Sequence, residues 1–183
     1  YFNTLVENED VDVIATGHHS DDNAESVLMH ILRGSGIDGL KGIAARNGNF
    51  IRPFLCVSRE DVMEYVREKG LCYAQDKTND SAQYTRNFVR NTLLPQVRER
   101  INPDVSGALN RLSAIAQEDS AFIFGEAERV FPECAAQKGD RVEIDIGRFL
   151  GLSPAVAYRI IKIACAKLFV TQDIEKAHVG SVM

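Results

Sequence analysis

Hydrophobic spacing divides the chain into short strands and amphipathic helices. Val11, Val13, Ile14 and Ala15 form an apolar run closed by Gly17, which predicts a short buried strand over 11–16. From residue 20 the period changes. Ala24, Val27, Leu28, Ile31 and Leu32 recur at spacings of three and four and predict a helix over 20–33 with Ser20 as its N-cap. Phe50, Ile51, Phe54 and Leu55 read as an edge strand or an extended approach, because Pro53 cannot donate to a central ladder. Ser58 and Asp61 form a capping-box pattern for a helix that ends with Gly70 at C′, and 71–74 reads as a short second strand or an extended segment. A polar loop over 76–81 precedes a helix capped by Thr85. Asn102-Pro103 signals an N-cap and N1 for a helix of nearly thirty residues carrying Val105, Leu109, Leu112, Ile115, Ala116, Phe122 and Ile123, stopping before Pro132. Val142, Ile144 and Ile146 alternate with acids as a small strand, and Ser153-Pro154 opens another apolar helix. Residues 1–10 and 173–183 carry helical spacing, so both ends look cut, and we expect a fragment.

This order of elements is that of an α/β protein. It holds too few strands for a complete doubly wound sheet. The expectation is the C-terminal part of a parallel-sheet domain over 1–101, then a linker helix and a small, mainly helical domain over 102–183.

Composition adds mostly exclusions. With 45% hydrophobic and 26% charged residues the chain has the makeup of a soluble globular protein. No apolar run approaches the ~18–20 residues of a membrane span, and nothing reads as a secretory leader. Cys56, Cys72, Cys134 and Cys165 are scattered without CxxC spacing, which argues against a zinc site or disulfide framework and fits a reducing cytoplasm. A net charge of −5 excludes a wholly basic surface but not a local basic patch.

The chemistry concentrates at the first strand–helix junction. His18, His19, Asp21, Asp22 and Glu25 fall within eight residues of one another beside Gly17. Acids in a first helical turn are ordinary, favoured there by ~0.3–1 kcal/mol each. The density exceeds that, at a place where open α/β sheets bind ligands. Asp22 and Glu25, three apart, share one edge of the helix, away from its apolar stripe. Gly34, Gly36 and Gly39 formally spell GxGxxG, but a helix precedes them, so the dinucleotide reading fails. What remains is a glycine C-cap with a mobile loop, or a loop that closes over a ligand beside the acids. Arg86 and Arg90 share a helix face flanked by Asn87 and Asn91. They read as a solvated face or structural ion pairs, or as a phosphate-binding face, since guanidinium forks match phosphate oxygens. His178 reads as a surface or packing residue.

Four stretches together resemble the tRNA(Ile)-lysidine synthetases of the N-type ATP pyrophosphatase group: Gly17-His18-His19-Ser20-Asp21-Asp22-Asn23-Ala24-Glu25-Ser26, Arg33-Gly34-Ser35-Gly36-Ile37-Asp38-Gly39-Leu40, Arg52-Pro53-Phe54-Leu55, and Asp80 onward through Arg86-Asn87-Phe88-Val89-Arg90 to Leu93-Leu94-Pro95. The resemblance covers most of 10–120. It implies a nucleotide-binding domain, a linker helix and a small helical domain. It implies the partners ATP, lysine and tRNA(Ile), with a homodimer left open. ATP would adenylate the C2 oxygen of an anticodon cytidine, and the lysine ε-amine would then displace AMP. Such chemistry calls for Mg²⁺ held by hard carboxylates. The resemblance assigns Asp22 and Glu25 to the metal or the amine, and His18 to nucleotide orientation or proton transfer. It assigns Arg86, Asn87 and Arg90 to RNA, and Arg33, Gly34, Ser35 and Gly36 to a substrate loop. The group's Ser-Gly-Gly-x-Asp-Ser phosphate loop is absent from these 183 residues, so the expectation is an enzyme missing its N-terminal part and inactive as this fragment. The competing readings are a related tRNA thiolation enzyme, a non-catalytic RNA-binding fragment, and a metal-dependent hydrolase using His18, His19, Asp21 and Asp22.

Overall fold

The computed structural model describes residues 11–74 and 84–168, so the expected elements over 1–10, 76–81 and 173–183, and with them Asp80 and His178, lie outside the described residues. Two compact units divide between Gln117 and Glu118. No helix among the described residues is long and apolar enough to cross a membrane.

The first unit is an α/β layer around a three-stranded sheet. Its strands are β1 (Ile14–Ala15), β2 (Arg46–Asn47) and β3 (Phe50–Ile51). The spatial order is β1-β3-β2, with β1 and β3 parallel and β2 antiparallel. The expected edge strand is therefore the central one. Pro53 does not forbid this, because β3 ends before it and Pro53 opens a 3₁₀ turn, Pro53–Cys56. The unexpected strand β2 joins β3 through a tight turn in which Gly48 adopts φ +58°. Gly48-Asn49, the two residues between the paired Asn47 and Phe50, is a hairpin-turn dipeptide and its signal in the sequence.

Helix α1 (Ser20–Leu32) follows β1, and its N-cap is His19 rather than Ser20. The Asp22 carboxylate accepts from the His19 backbone N–H at 3.0 Å, which moves the cap one residue back. The far end closes as a Schellman motif: Ser35 N–H donates to His30 O, Gly34 N–H donates to Ile31 O, and Gly34 sits at φ +71°. The expected loop then turns into a short helix, α2 (Ile37–Leu40). Helix α3 (Arg59–Glu68) carries the capping box read from the sequence, with Asp61 N–H donating to Ser58 Oγ and Ser58 N–H to Asp61 Oδ2. It too ends in a Schellman turn, through Gly70 and Leu71. Residues 71–74 form no strand and pair with none of the described strands.

Helix α4 (Tyr84–Phe88), a π-helical turn (Val89–Leu93) and α5 (Leu94–Arg100) follow one another directly. Thr85 lies inside α4 and is not its cap. Helix α6 (Val105–Cys134) starts two residues beyond the expected N1 position, because Asn102 Oδ1 accepts from Asp104 N–H and holds 102–104 as a turn. The core of this unit joins Ala24 and Val27 of α1, Val89 and Leu94 from the segment after α4, and Val105 and Leu109 of α6.

The second unit has its own core. The C-terminal part of α6 contributes Ala127, Phe131 and Cys134. Pro132 is inside the helix rather than beyond its end; proline removes one backbone donor there, while burial of Phe131 and Cys134 holds the last turn in place. A hairpin of β4 (Ala135–Lys138) and β5 (Arg141–Ile144) lays Val142 and Ile144 on this core. Ile146 is exposed and begins α7 (Ile146–Leu150) instead of extending the strand. Helix α8 (Pro154–Lys167) starts at the expected Ser153 cap and buries Ala157, Ile160, Ile163 and Ala164.

Candidate functional site

Strand β1 delivers the chain to the start of α1, whose first turns carry Asp21, Asp22 and Glu25. The apolar stripe of α1 turns Ala24 and Val27 into the core. Sequence spacing puts the acids on an exposed edge; in the structure they are covered. Glu25 is 2% exposed and Asp22 8%. The cover is the pair of arginines from α4 and the π-turn. Arg86 donates from Nε to Glu25 Oε2 at 3.0 Å and from Nη2 to Asp22 Oδ1 at 3.2 Å. Arg90 donates from Nε to Glu25 Oε1 at 2.6 Å, and from Nη2 to Asp22 Oδ1 at 2.7 Å and Glu25 Oε2 at 2.8 Å. Two carboxylates thus face two guanidinium groups, and their charges cancel inside the cluster. The hydrogen bond to Glu25 pushes the Arg90 pKa up from its ordinary value, against an opposing effect of burial.

The π-turn is part of this geometry. An extra residue per turn shifts where side chains emerge from an otherwise continuous helix, and such turns concentrate at functional sites. Here the turn presents Arg90 to the same two acids that Arg86 reaches from α4.

The two histidines have different surroundings. His18 Nδ1 is hydrogen-bonded to Thr16 Oγ1 at 2.9 Å. No described hydrogen bond joins His18 to the acid pair. His19 lies against the acids, with Nε2 3.3 Å from Asp22 Oδ2 and Nδ1 3.7 Å from Asp21 Oδ2. Asp21 also accepts from the Arg59 backbone N–H at 2.9 Å, tying α1 to the start of α3.

The arrangement does not fit Mg²⁺ at Asp22 and Glu25. All four carboxylate oxygens already accept from N–H donors. Among the described residues no group of three or more His, Cys, Asp or Glu could hold a metal ion. Arg33, Gly34, Ser35 and Gly36 are at the other end of α1 from the acids, roughly 15 Å away along the helix axis, so that loop does not close over them. Asn87 is half-buried between the two arginines in sequence.

An amide network on the opposite edge of α1 is not evident from sequence spacing. Asn23 Oδ1 accepts from Ile43 N–H at 2.6 Å, and Asn23 Nδ2 donates to Asn110 Oδ1 at 2.9 Å. Asn110 Nδ2 donates to Ser20 O at 3.1 Å. Ser113 and Gln117 both donate to Lys41 O at 2.7 Å. Polar residues on the core-facing stripe of α6 were the available signal. The first turn of α1 is therefore held on one edge by arginines and on the other by amides.

Residues 1–97 match the PP-loop domain family. The chain is 43% identical over 123 residues to the tRNA(Ile)-lysidine synthase of Chlorobaculum tepidum, covering 67% of this chain and 37% of that protein. It is 50% identical over 97 residues to that of Parabacteroides distasonis, covering 53% and 22%. With that of Geobacillus kaustophilus the identity is 30% over 189 residues, covering all of this chain and 40% of that protein. The chain thus spans well under half the length of these curated relatives.

Proposed function

The chain belongs to the PP-loop domain family, and we propose that it is part of a ligase that uses ATP to attach lysine to an anticodon cytidine of tRNA(Ile). The observation that carries this reading is the position of the buried Asp22–Glu25 pair. It sits at the start of the helix that follows a parallel strand, inside the stretch shared with the PP-loop family and with the lysidine synthases.

The reaction has two steps. The cytidine C2 oxygen attacks the α-phosphate of ATP, an O–P bond forms and pyrophosphate leaves. The lysine ε-amine then attacks C2, a C–N bond forms, and AMP leaves with the oxygen. Asp22 and Glu25 are the acidic groups at the site, and the hydrogen bonds from the two arginines hold them in place. His18, its ring held by Thr16, is the group free to meet nucleotide or substrate. Arg86 and Arg90 spend their inner donors on the acids. About a third of each arginine side chain stays exposed, and that part, beside Asn87 in sequence, is where an RNA phosphate would meet them.

The test is made in a protein of the relatives' length that contains this chain. Asp22→Asn and Glu25→Gln keep side-chain shape and remove charge. Each should lower lysidine formation by orders of magnitude; near-normal turnover in both would overturn the assignment.

A further inference from the structure

The two arginines that cover the acid pair contribute unequally. Arg90 donates to three of the four carboxylate oxygens: Glu25 Oε1 at 2.6 Å, Asp22 Oδ1 at 2.7 Å and Glu25 Oε2 at 2.8 Å. The fourth, Asp22 Oδ2, accepts from the His19 backbone N–H. Arg86 donates to Glu25 Oε2 at 3.0 Å and Asp22 Oδ1 at 3.2 Å. Arg90 already serves both of these oxygens at shorter range. Withdrawing Arg86 therefore leaves each oxygen with a donor. Withdrawing Arg90 strands Oε1 of a glutamate that is 2% exposed, and an orphaned buried acceptor is costly.

The backbone follows the same division. Arg90 comes directly after Val89, which is 1% exposed and lies in the core with Leu94 of the next helix. In α4 the side chains from Thr85 to Phe88 are exposed or half-buried. Arg90 is thus anchored through its neighbours, and Arg86 chiefly through its own guanidinium. Charge supplies a reason for exchange. Asp21 and Asp22 both lie against His19, so with Glu25 three carboxylates stand against two guanidinium groups, His19 aside. Without Arg86 the negative excess grows, and a second cation is called for. That cation must donate N–H to the two oxygens Arg86 leaves. A primary ammonium can, having three donors on a compact charge. Mg²⁺ suits the place poorly, because it demands near-octahedral oxygen ligands and Arg90 still occupies these same atoms.

We propose that Arg86 is a gate over the acid pair. It is displaced when a primary ammonium on an alkyl chain takes over its two acceptors, while Arg90 stays and holds the acids. The proposal rests on the proposed function in one respect, that the ammonium is the side chain of lysine. An amine meeting these acids belongs to that reading. The gate adds that the structure is the closed form, and that Arg86 is an internal competitor that sets how tightly the amine binds.

The experiment uses the 183-residue chain at neutral pH, with L-lysine as the probe and L-norleucine, which lacks the ε-ammonium, as its comparator. Binding is followed by NMR titration. The variants are Arg86→Ala and Arg90→Ala. Arg111→Ala, whose arginine pairs with Asp104 in the same unit, is the control for lost charge. If the gate is closed in about nine molecules of ten, Arg86→Ala should bind lysine about ten-fold more tightly than the unaltered chain. Arg111→Ala should bind it as the unaltered chain does. In the unaltered chain, saturating lysine should speed solvent exchange of the Arg86 Nε–H and leave that of Arg90 protected; norleucine should do neither. In denaturant, Arg86→Ala should lose clearly less stability than Arg90→Ala. Four outcomes would each overturn the proposal: no gain in lysine affinity in Arg86→Ala, an equal gain in Arg111→Ala, release of both arginines or of neither by lysine, or a stability loss in Arg86→Ala that matches Arg90→Ala. Lysidine formation is not measured here, so a failed gate leaves the reaction assignment standing, and the turnover of Asp22→Asn and Glu25→Gln tests that assignment separately.

Discussion

A carboxylate as deeply covered as Glu25 is tolerable only with its charge matched, because desolvating an unpaired ion costs several kcal/mol. Arg90 supplies the only described donor to Glu25 Oε1. Arg90→Ala should therefore destabilise the chain by about 2–3 kcal/mol, below the ~3–5 of a wholly buried pair, since Arg86 still serves Oε2 and water reaches the rim. Denaturant unfolding measures this, and Glu25→Gln in the same background should recover part of the loss. Asp61 gives the opposite, exposed case. Ser58 donates to it from hydroxyl and backbone and holds its carboxyl below the ordinary value. A depressed carboxylate stabilises the fold above its unfolded pKa, ~3.9, and that contribution is lost as pH falls through the lower folded value. The cap of α3 should thus persist at pH 5 and disappear in stronger acid. Carbon NMR of the Asp61 carboxyl should show its midpoint rising toward the ordinary value in Ser58→Ala.

At the scale of elements, glycine positions separate geometry from packing. Gly42 and Gly48 both have positive φ, +63° and +58°. A Cβ on Gly48 would meet nothing, whereas one on Gly42 would lie 2.1 Å from Asn23 Oδ1 and 2.9 Å from Ser113 Oγ. Gly48→Ala should cost roughly the ~1–2 kcal/mol of the left-handed conformation. Gly42→Ala should cost clearly more, because it also displaces the amide that holds Ile43 to α1. Equal losses in thermal unfolding would mean that the amide network carries no strain. The same contrast explains what was legible in the sequence. Local signals survived: the Ser58–Asp61 box, Gly34 and Gly70 at helix ends, the Ser153-Pro154 start and the period of α1. Signals that depend on distant segments did not. Nothing near Phe50 says that β1 and β2 flank it, and nothing near 71–74 says that no strand will pair there. The acid pair was legible as a site, but its burial was not, because the cover arrives 61 to 68 residues later in the chain. The arginines were read as ion pairs or as a phosphate face; the first of these describes their inner edges, and the second concerns only their outer ones.

Across the whole molecule, the two units rest on cores that share no residue. One gathers Ala24, Val27, Val89, Leu94, Val105 and Leu109; the other gathers Ala127, Phe131, Cys134, Phe149, Ile160 and their neighbours. Each core is small, so removing one large side chain takes a sizeable share of its stability. Leu94→Ala in the first and Ile160→Ala in the second should each cost about 2–5 kcal/mol within its own unit. Amides that open with their unit then lose protection from hydrogen exchange, by a factor of roughly one hundred for the first ~2.7 kcal/mol of that loss. If each unit is a cooperative body, Leu94→Ala speeds exchange in α1 and the first turns of α6 and leaves α8 at its original rate. Ile160→Ala does the reverse. Loss of protection throughout the chain in either variant would show that folding is a single transition and that the separate cores do not correspond to separate units of stability. The result also bears on the site. The acid–arginine cluster and the amide network draw their residues from the first unit, so Ile160→Ala should leave the protection of the Ile43 amide unchanged at temperatures where the second unit has opened.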